Sequence, residues 1–571
     1  MMESPFPPDE AAMVTDDPAI LYRHPVMREI RRLLSWQDRE KFSKTSGCFD
    51  RTYWGWKFTD FPGARFQEGI YALAHLFSRP FPGNDLSANQ RVLDWARAGM
   101  NFWRGIQYQD GSFDEAYPFE RSLAATSFTS FYVGEAFLQL ADHIPQEEKS
   151  ALYRTFERAG DWLCKNDEHH GVLSNHLAAA AAALHVIYRI CGEERYEKRS
   201  RYFLQRIYER QSEEGWYEEY GGADPGYQTH GTFYLAVIWQ DNRDAALLES
   251  LQRSLAFLKY FIHPNGTLGG EYGSRNTEFY FPAGFEILAG AIPDAALIAR
   301  FMRASVEKQT AAGLSAMDAY NFLPLMNNYL FAADHARSPG NATDKLPCQQ
   351  EEEAYFPDAG LYVKSNSAYY SVLGLSKGGV LKVYNKVTRN LAASDCGYWS
   401  QVSGGAVISS QSLRRPGRWS RSDDGFTVEV NFAQVNQRTQ SSWLFIGFRL
   451  FSLTVGRLQT AAYWLKNLLV KVLVQRHKEV PLRLIRRVHF KDNEIVISDR
   501  IEIDGTLQIS GLQTGAKFST IHMGSSRYFQ HQELDIPPTN PQDLVADLIK
   551  NRHISVDRVL RILASESEGS L

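Results

Sequence analysis

From Phe66 to about His335, apolar residues recur at three- and four-residue spacing, as in Leu73, Leu76 and Phe77 or Leu251, Leu255 and Leu258. That period predicts amphipathic helices. Between them lie glycine-bearing polar turns: Asp110 to Pro118, His170 to Asn175, Glu214 to Tyr220, Asn265 to Tyr272 and Ala312 to Tyr320. Their spacing of about 45 to 60 residues is what two helices and two loops need, so each turn marks one helical hairpin. Hairpins repeated without strands predict an α/α toroid or solenoid in which like turns gather at one end. The turns carry Asp, Glu, Tyr, Trp, His and Asn, which makes that end the expected cleft.

Past Asp334 the pattern changes. Ala336 to Pro347 has the composition of a linker, and beyond it the period becomes two. Leu361–Lys364, Tyr369–Leu375, Val380–Tyr384, Phe426–Phe432, Leu482–Phe490, Glu494–Ser498 and Leu507–Ser510 read as strands, several joined by Gly or Asp-Asn turns. The expected fold is therefore α+β and multidomain: an N-terminal α/α toroid of helical hairpins followed by a C-terminal antiparallel β-sandwich. The expected boundaries are 1–50 for a tail and leading helix, 51–335 for the toroid, 336–352 for the linker, 353–535 for the sandwich and 536–571 for a helical tail. A chain of 571 residues exceeds what one core usually supports, in keeping with two domains.

One stretch inside the β region breaks its pattern. Residues 441–478 place Leu465, Leu468, Leu469, Val472 and Leu473 at helical spacing, and no acidic residue occurs between Glu429 and Glu479. Arg449, Arg457, Lys466, Lys471, Arg476 and Lys478 interrupt every apolar run before the ~20 residues a bilayer span needs. Two readings stay open: helices covering the protein's own sheet, or a basic amphipathic hairpin lying on an anionic membrane face.

Charge adds little, because 62 Lys and Arg against 66 Asp and Glu give no overall field calling for nucleic acid. Five cysteines, odd in number and without Cys-x-x-Cys, predict neither a disulfide framework nor a cysteine zinc site. The acidic, proline-rich start Met1 to Glu10 is the reverse of a secretion signal. The expectation is a cytoplasmic protein, or one peripheral to the inner membrane if 441–478 meets lipid. Neither a Walker-type phosphate loop nor His-Glu-x-x-His occurs, so no nucleotide or zinc-peptidase chemistry is expected. The oligomeric state is not legible.

The chemistry-bearing residues cluster between Ser174 and Tyr234. Ser174-Asn175-His176 opens an alanine-rich helix, and Asp224-Pro225-Gly226-Tyr227 opens another, with His230 three positions on. An amide, an imidazole and a phenol on one rim suit proton removal beside a carboxylate. The amide stabilises the developing charge, and the phenol or imidazole moves the proton. Each has a plainer reading: Asn175 as an N-cap, His176 as a solvated first-turn residue, Tyr227 as a turn aromatic on the core. Arg65, Arg121 and Arg275 could fork onto further carboxylates, Trp54, Trp103, Trp216 and Tyr220 could stack on sugar faces, and Glu271 could contact substrate. The aromatic loop around Trp54 and Trp56 also reads as a plug closing one end of the toroid.

This combination resembles the heparinase II/III-like polysaccharide lyases and their alginate-lyase relatives. The resemblance rests on toroid-then-sandwich order together with Ser174-Asn175-His176 and Asp224-Pro225-Gly226-Tyr227. It implies β-elimination on a uronate-containing acidic poly- or oligosaccharide, with Asn175 binding the carboxylate, His176 assisting and Tyr227 handling the proton. A place beside exopolysaccharide assembly follows from the cytoplasmic expectation. The family commonly carries a histidine segment in its β domain, serving catalysis or zinc. The corresponding stretch Val387 to Trp399 contains none, so no metal or cofactor is expected, and either Tyr398 or Arg389 fills the cleft or the activity has drifted or gone. Two other classes stay open: a glycoside hydrolase using a pair among Asp114, Glu115, Glu218, Glu219 and Glu271, or a non-catalytic glycan-binding protein.

Overall fold

The computed structural model describes residues 17–168, 174–338, 344–435, 441–458, 461, 465, 478–505, 507–521, 523–535 and 545–562. Among them, helices Gly69–Ser78, Leu123–Leu140, Ser174–Cys191, Pro225–Asn242, Ala283–Leu288 and Ala319–His335 pack side by side in sequence order, and the last returns to the first. This closed inner ring is wrapped by Ile20–Trp36, Gln90–Gly105, Gln146–Lys165, Glu194–Tyr208, Ala245–Leu258 and Pro293–Lys308. The expected α/α toroid is present, and the helix Ile20–Trp36, placed before the toroid from sequence, belongs to its outer ring.

The side chains explain the two rings. Outer helices such as Glu194–Tyr208 bury only one stripe, Tyr196, Ser200, Phe203, Leu204 and Ile207 among it, the pattern of a surface helix. Inner helices are buried nearly all round. In Ser174–Cys191 the run Ala178–Ala183 is wholly buried, and its small side chains let Leu123–Leu140 and Pro225–Asn242 approach from either side.

Two of the recurrent glycines are needed where turn meets outer helix. Gly111 and Gly215 both have φ +99°, and a Cβ there would stand 2.0 Å from the Arg158 carbonyl oxygen and 2.1 Å from that of Arg253. Only glycine permits both the backbone angle and the approach.

A two-stranded ribbon, β1 (Glu218–Glu219) and β2 (Gly222–Ala223), precedes Pro225. The C-terminal half is a β-sandwich. Strands β3 (Glu352–Phe356), β4 (Leu361–Ser365), β5 (Tyr369–Gly374), β6 (Val380–Asn385) and β7 (Leu391–Asp395) form an antiparallel meander. The facing sheet runs β14 (Ile509–Thr514), β8 (Tyr398–Val402), β9 (Val407–Ser409), β11 (Gly425–Gln434), β12 (Glu479–Phe490), β13 (Glu494–Ile503) and β15 (His553–Arg561), with β10 (Arg418–Ser422) also on β11. Leu373, Leu381 and Val383 meet Phe426, Val488 and Ile497 between the sheets. The other face of the first sheet, through Val363, Tyr370, Val372 and Tyr384, shares one continuous core with the toroid.

Two expectations are corrected here. Among the described residues of the C-terminal stretch expected to be helical, 545–562, there are the short helix Val545–Asn551 and then β15, paired along its length with β13. Within 441–478, most of 459–477 lies outside the described residues. The helix Ser442–Leu453 does not cover its own sheet but lies on toroid loops, with Phe448 edge-on to Tyr117 at 5.0 Å and Arg449 3.2 Å from Asp60. Among the described residues no helix is long and apolar enough to cross a membrane.

Candidate active site

The inner helices begin side by side at one end of the ring, and ring-to-ring contacts trace that rim. Phe128, in the first turns of its helix, is edge-on to His176 at 5.7 Å and stacked on His230 at 5.7 Å. His230 in turn stacks on Phe281 at 4.2 Å, and the Arg65 guanidinium lies 4.3 Å over Phe128. Local sequence sets these starts: Ser122 and Asp224 cap their helices by accepting from the N–H groups of Ala125 and Tyr227. Residues 169–173, which include His170 of the expected turn, lie outside the described residues.

Asn175 faces Glu219. Its backbone N–H donates to Glu219 Oε1 at 2.8 Å and its side-chain amide to Oε2 at 3.0 Å. Burial pushes the Glu219 carboxyl up to about 8, against those two hydrogen bonds, so near neutrality it is held largely uncharged. The plain N-cap reading of Asn175 does not describe this contact.

Tyr227 opens the next inner helix, with its backbone N–H on Asp224. Its hydroxyl is 3.1 Å from Ser525 Oγ, and its ring is edge-on to Phe279 at 5.1 Å. Burial raises the phenol above its ordinary value, against the pull of the Arg275 guanidinium and of Ser525, while Asp224 and Glu219 push the same way as burial. Arg275 stacks 4.0 Å over Tyr220 and meets the Met523 sulfur. Tyr220 and Asn276 both adopt left-handed backbone angles, φ +52° and +60°, tolerated readily by asparagine but unusual for an aromatic, and found where a loop is held by its surroundings.

The histidines differ. His176 Nδ1 stands 3.0 Å from Glu168 Oε2 and the ring is partly exposed. His230 is buried, with Nε2 3.1 Å from the Tyr234 hydroxyl. Burial, with Arg65 and His176 alongside, holds its pKa well below the ordinary histidine value. Arg65 is itself committed to Glu68 and, at 3.3 Å, to Glu115, and burial lifts Glu68 to about 7 against that pairing.

Other expected substrate contacts are withdrawn from the rim. Trp103 has no exposed surface, stacks on Phe113 at 4.9 Å and donates to Thr129. Trp216 is buried beneath Arg415. Trp54 is half-buried and donates its indole N–H to the Trp36 carbonyl at 2.7 Å, which fixes it to the outer helix Ile20–Trp36. Glu271 is buried between Lys382, at 2.6 Å, and Lys517, at 2.9 Å. Arg121 pairs with Asp110 at 2.9 Å and donates to the Arg457 carbonyl oxygen at 3.0 Å, at the edge of the rim.

Neither β-domain candidate fills the cleft. Tyr398 is buried in the second sheet and donates to Asp499 at 2.9 Å. Arg389 lines a separate surface hollow beside Asn265 and Arg300. The segment from Lys517 to Asp535 comes there instead, through Met523, Ser525 and Tyr528, the last donating to Asp318 at 2.8 Å. It carries no motif, and no signal in the sequence could have placed it. A groove of about 690 Å³ runs along this segment, lined by Glu271, Trp399, Lys517, Arg527, Tyr528 and Phe529 among others.

The loop bearing Arg275 is pinned from the β domain. Lys377 donates to the Gly273 and Ser274 carbonyl oxygens at 3.0 Å each, and burial pulls its pKa down to about 7. Lys382 bridges Glu271 and Glu278.

Residues 62–284 match the family model of the ulvan lyase N-terminal domain. That span includes Arg65, Asn175, His176, Glu219, Tyr227, His230 and Arg275. Among solved structures, the chondroitin AC lyase of Streptomyces coelicolor A3 in complex with chondroitin sulphate is similar over 87% of this chain and 68% of its own, at TM-score 0.55 and 10% identity. A Paenibacillus xanthan lyase is similar over 87% of this chain and 46% of its own, at TM-score 0.52 and 10% identity. No curated protein matches. The toroid thus resembles a polysaccharide lyase domain in sequence, and the chain shares its fold with polysaccharide lyases.

Proposed function

We propose that the chain is a polysaccharide lyase with heparinase II/III-like chemistry, cleaving a uronate-containing acidic polysaccharide by β-elimination. The observation that carries the reading is the buried Glu219 carboxyl, held by the Asn175 amide at 3.0 Å and near enough to the Tyr227 phenol and the Arg275 guanidinium for their charges to interact with it. A neutral Glu219 leaves room for a substrate carboxylate, which an ionised neighbour would repel. Asn175 and Arg275 then hold that carboxylate and stabilise the negative charge that develops when the adjacent carbon loses its proton.

The elimination needs a base and an acid. His176, its Nδ1 3.0 Å from the Glu168 carboxylate and its ring partly exposed, is oriented by that contact to take the proton through Nε2. Tyr227, kept protonated by burial, suits donation to the leaving oxygen. The base takes the proton, its electron pair forms the C=C bond, and the β C–O bond breaks to the oxygen that Tyr227 protonates. His230, held neutral, supports the rim through Phe128 and Phe281. An exopolysaccharide is the substrate class we favour, one suited to a site beside the exposed apolar helix Ser442–Leu453.

The carboxylates support elimination over hydrolysis, since four of the five candidates are closely engaged: Glu219 by Asn175, Asp114 by Tyr108 at 2.5 Å and two backbone N–H groups, Glu115 by Arg65, and Glu271 by two lysines, which leaves Glu218, 3.7 Å from Arg210, without a second carboxylate free to pair with it. The test is ultraviolet absorbance of the conjugated product across a panel of uronate polymers. Absorbance should grow with the intact chain, fall on the order of 10²-fold or more in Tyr227→Phe and fall comparably in Asn175→Ala. New reducing ends without absorbance would point to a hydrolase, and neither signal with any polymer would leave only a binding protein.

A further inference from the structure

The helix Ser442–Leu453 presents its apolar side outward. Trp443 is 83% exposed, Leu444 63% and Leu450 61%, and Phe445, Ile446, Val455 and Leu458 are exposed beside them. The helix buries only Ser452, whereas a helix of a water-facing surface turns such residues inward. The neighbouring toroid loop extends the same character. Trp56 and Phe58 stack on each other at 6.0 Å, both exposed, in the loop that also carries Asp60, the partner of Arg449. Contiguous apolar surface of this extent marks a contact with something other than water.

Charge says what that something is. No acidic residue occurs between Glu429 and Glu479, while Arg449, Arg457 and Lys478 fall in that interval and Lys57 sits between the two exposed aromatics. Among the described residues, the carboxylate paired with the helix is Asp60, held by Arg449 at 3.2 Å. Lys57, Arg449 and Arg457 against Asp60 leave the face net positive, which disfavours a second copy of itself. A bilayer carrying anionic headgroups matches both parts of the pattern, apolar side chains for the acyl boundary and cations for the headgroups. At 12 residues the helix spans only about 18 Å and cannot cross a bilayer, so it would lie in the interface plane.

We infer that the face formed by Ser442–Leu458 and the Trp56–Phe58 loop docks this protein on an anionic membrane surface. The face adjoins the candidate site: the Arg457 carbonyl oxygen accepts from Arg121, and its guanidinium lies 5.2 Å over Phe119 in the Asp114–Arg121 loop. Docking would hold the rim of the toroid against the lipid plane and bring it to membrane-borne chains. The inference stands on this surface and holds whichever reaction the site performs.

The experiment is co-sedimentation of the intact chain with phosphatidylcholine vesicles, with and without phosphatidylglycerol. The chain should pellet with the anionic vesicles, less so as salt rises, and weakly with phosphatidylcholine alone. Replacing Trp443, Leu444 and Leu450 together by Ser should lower partitioning at least about tenfold with the circular dichroism spectrum unchanged. Val559→Ser, at an exposed apolar side chain on β15, should bind as the intact chain does. Equal binding by the triple variant would overturn the inference. So would an intact chain that binds no vesicle yet sediments as a dimer, with the triple variant a monomer, since a second copy would then own the face.

Discussion

Glu219 decides how the site responds to pH. Its folded-state pKa, about 8, lies above the ordinary carboxyl value, so the fold favours the protonated form. Between about pH 4.5 and 8 the unfolded chain gives up this proton while the folded one keeps it, and the contribution of Glu219 to stability falls across that window as pH rises. On the proposed reading, ionisation above pH 8 also sets a negative charge beside the substrate carboxylate. KM for a uronate polymer should therefore rise above pH 8 in the intact enzyme, while Glu219→Gln should flatten that rise. Steady-state kinetics over pH 6 to 9.5 at constant ionic strength check it, and a KM equally pH-dependent in both would sink it. At this scale the sequence was partly legible. Asn175, His176 and Tyr227 could be picked out because each follows a helix-start signal. Trp103 could not be judged, because an indole facing a sugar and one facing Phe113 look alike in a string of letters. Ser525 and Met523 arrive from 298 and 248 residues beyond their partners, with no pattern to announce them.

The elements rest on close approaches that can be tested singly. Gly111→Ala or Gly215→Ala would force a left-handed residue onto the carbonyl of an outer helix. Each should cost more than about 1–2 kcal/mol, the backbone penalty alone, seen as a lower urea midpoint. The same change at Gly290, where a Cβ meets nothing within 4 Å, should be near neutral. Lys382→Met would strand Glu271 and Glu278, both buried. With Lys517 still present, a loss of roughly 3 kcal/mol is expected in denaturant unfolding, the low end for breaking a buried pair. The long helices and strands were readable because burial on one or all sides leaves a period. β15 was misread as helix because Val556, Val559 and Leu560 fall at helical spacing. Its true alternation, Ile554, Val556, Arg558 and Leu560 inward, is broken by an inward arginine that pairs with Asp395 and Asp499. No local rule anticipates that.

For the molecule as a whole, the shared core between toroid and first sheet matters more than the linker. Residues 51–335 expressed alone would expose the apolar surface now packed on Val363, Tyr370 and Val372, and would also lack the outer helix Ile20–Trp36. That fragment should aggregate or be digested quickly, while the intact chain should unfold in one transition by calorimetry. Two separate transitions would show that the halves are independent. The order of toroid then sandwich was legible because the hydrophobic period switches once along the chain. How closely the halves merge was not, since a strand buried on both faces reads the same whatever covers it.

The shared starting end of the inner helices makes the architecture lopsided in what it tolerates. Loops at the opposite end could gain or lose residues over evolutionary time without disturbing any group proposed to touch substrate. A single residue inserted between Pro225 and Tyr227 would swing the phenol about 100° around its helix, away from Arg275 and Glu219. Length variation among relatives should therefore collect at one pole of the ring, leaving the other nearly fixed in register.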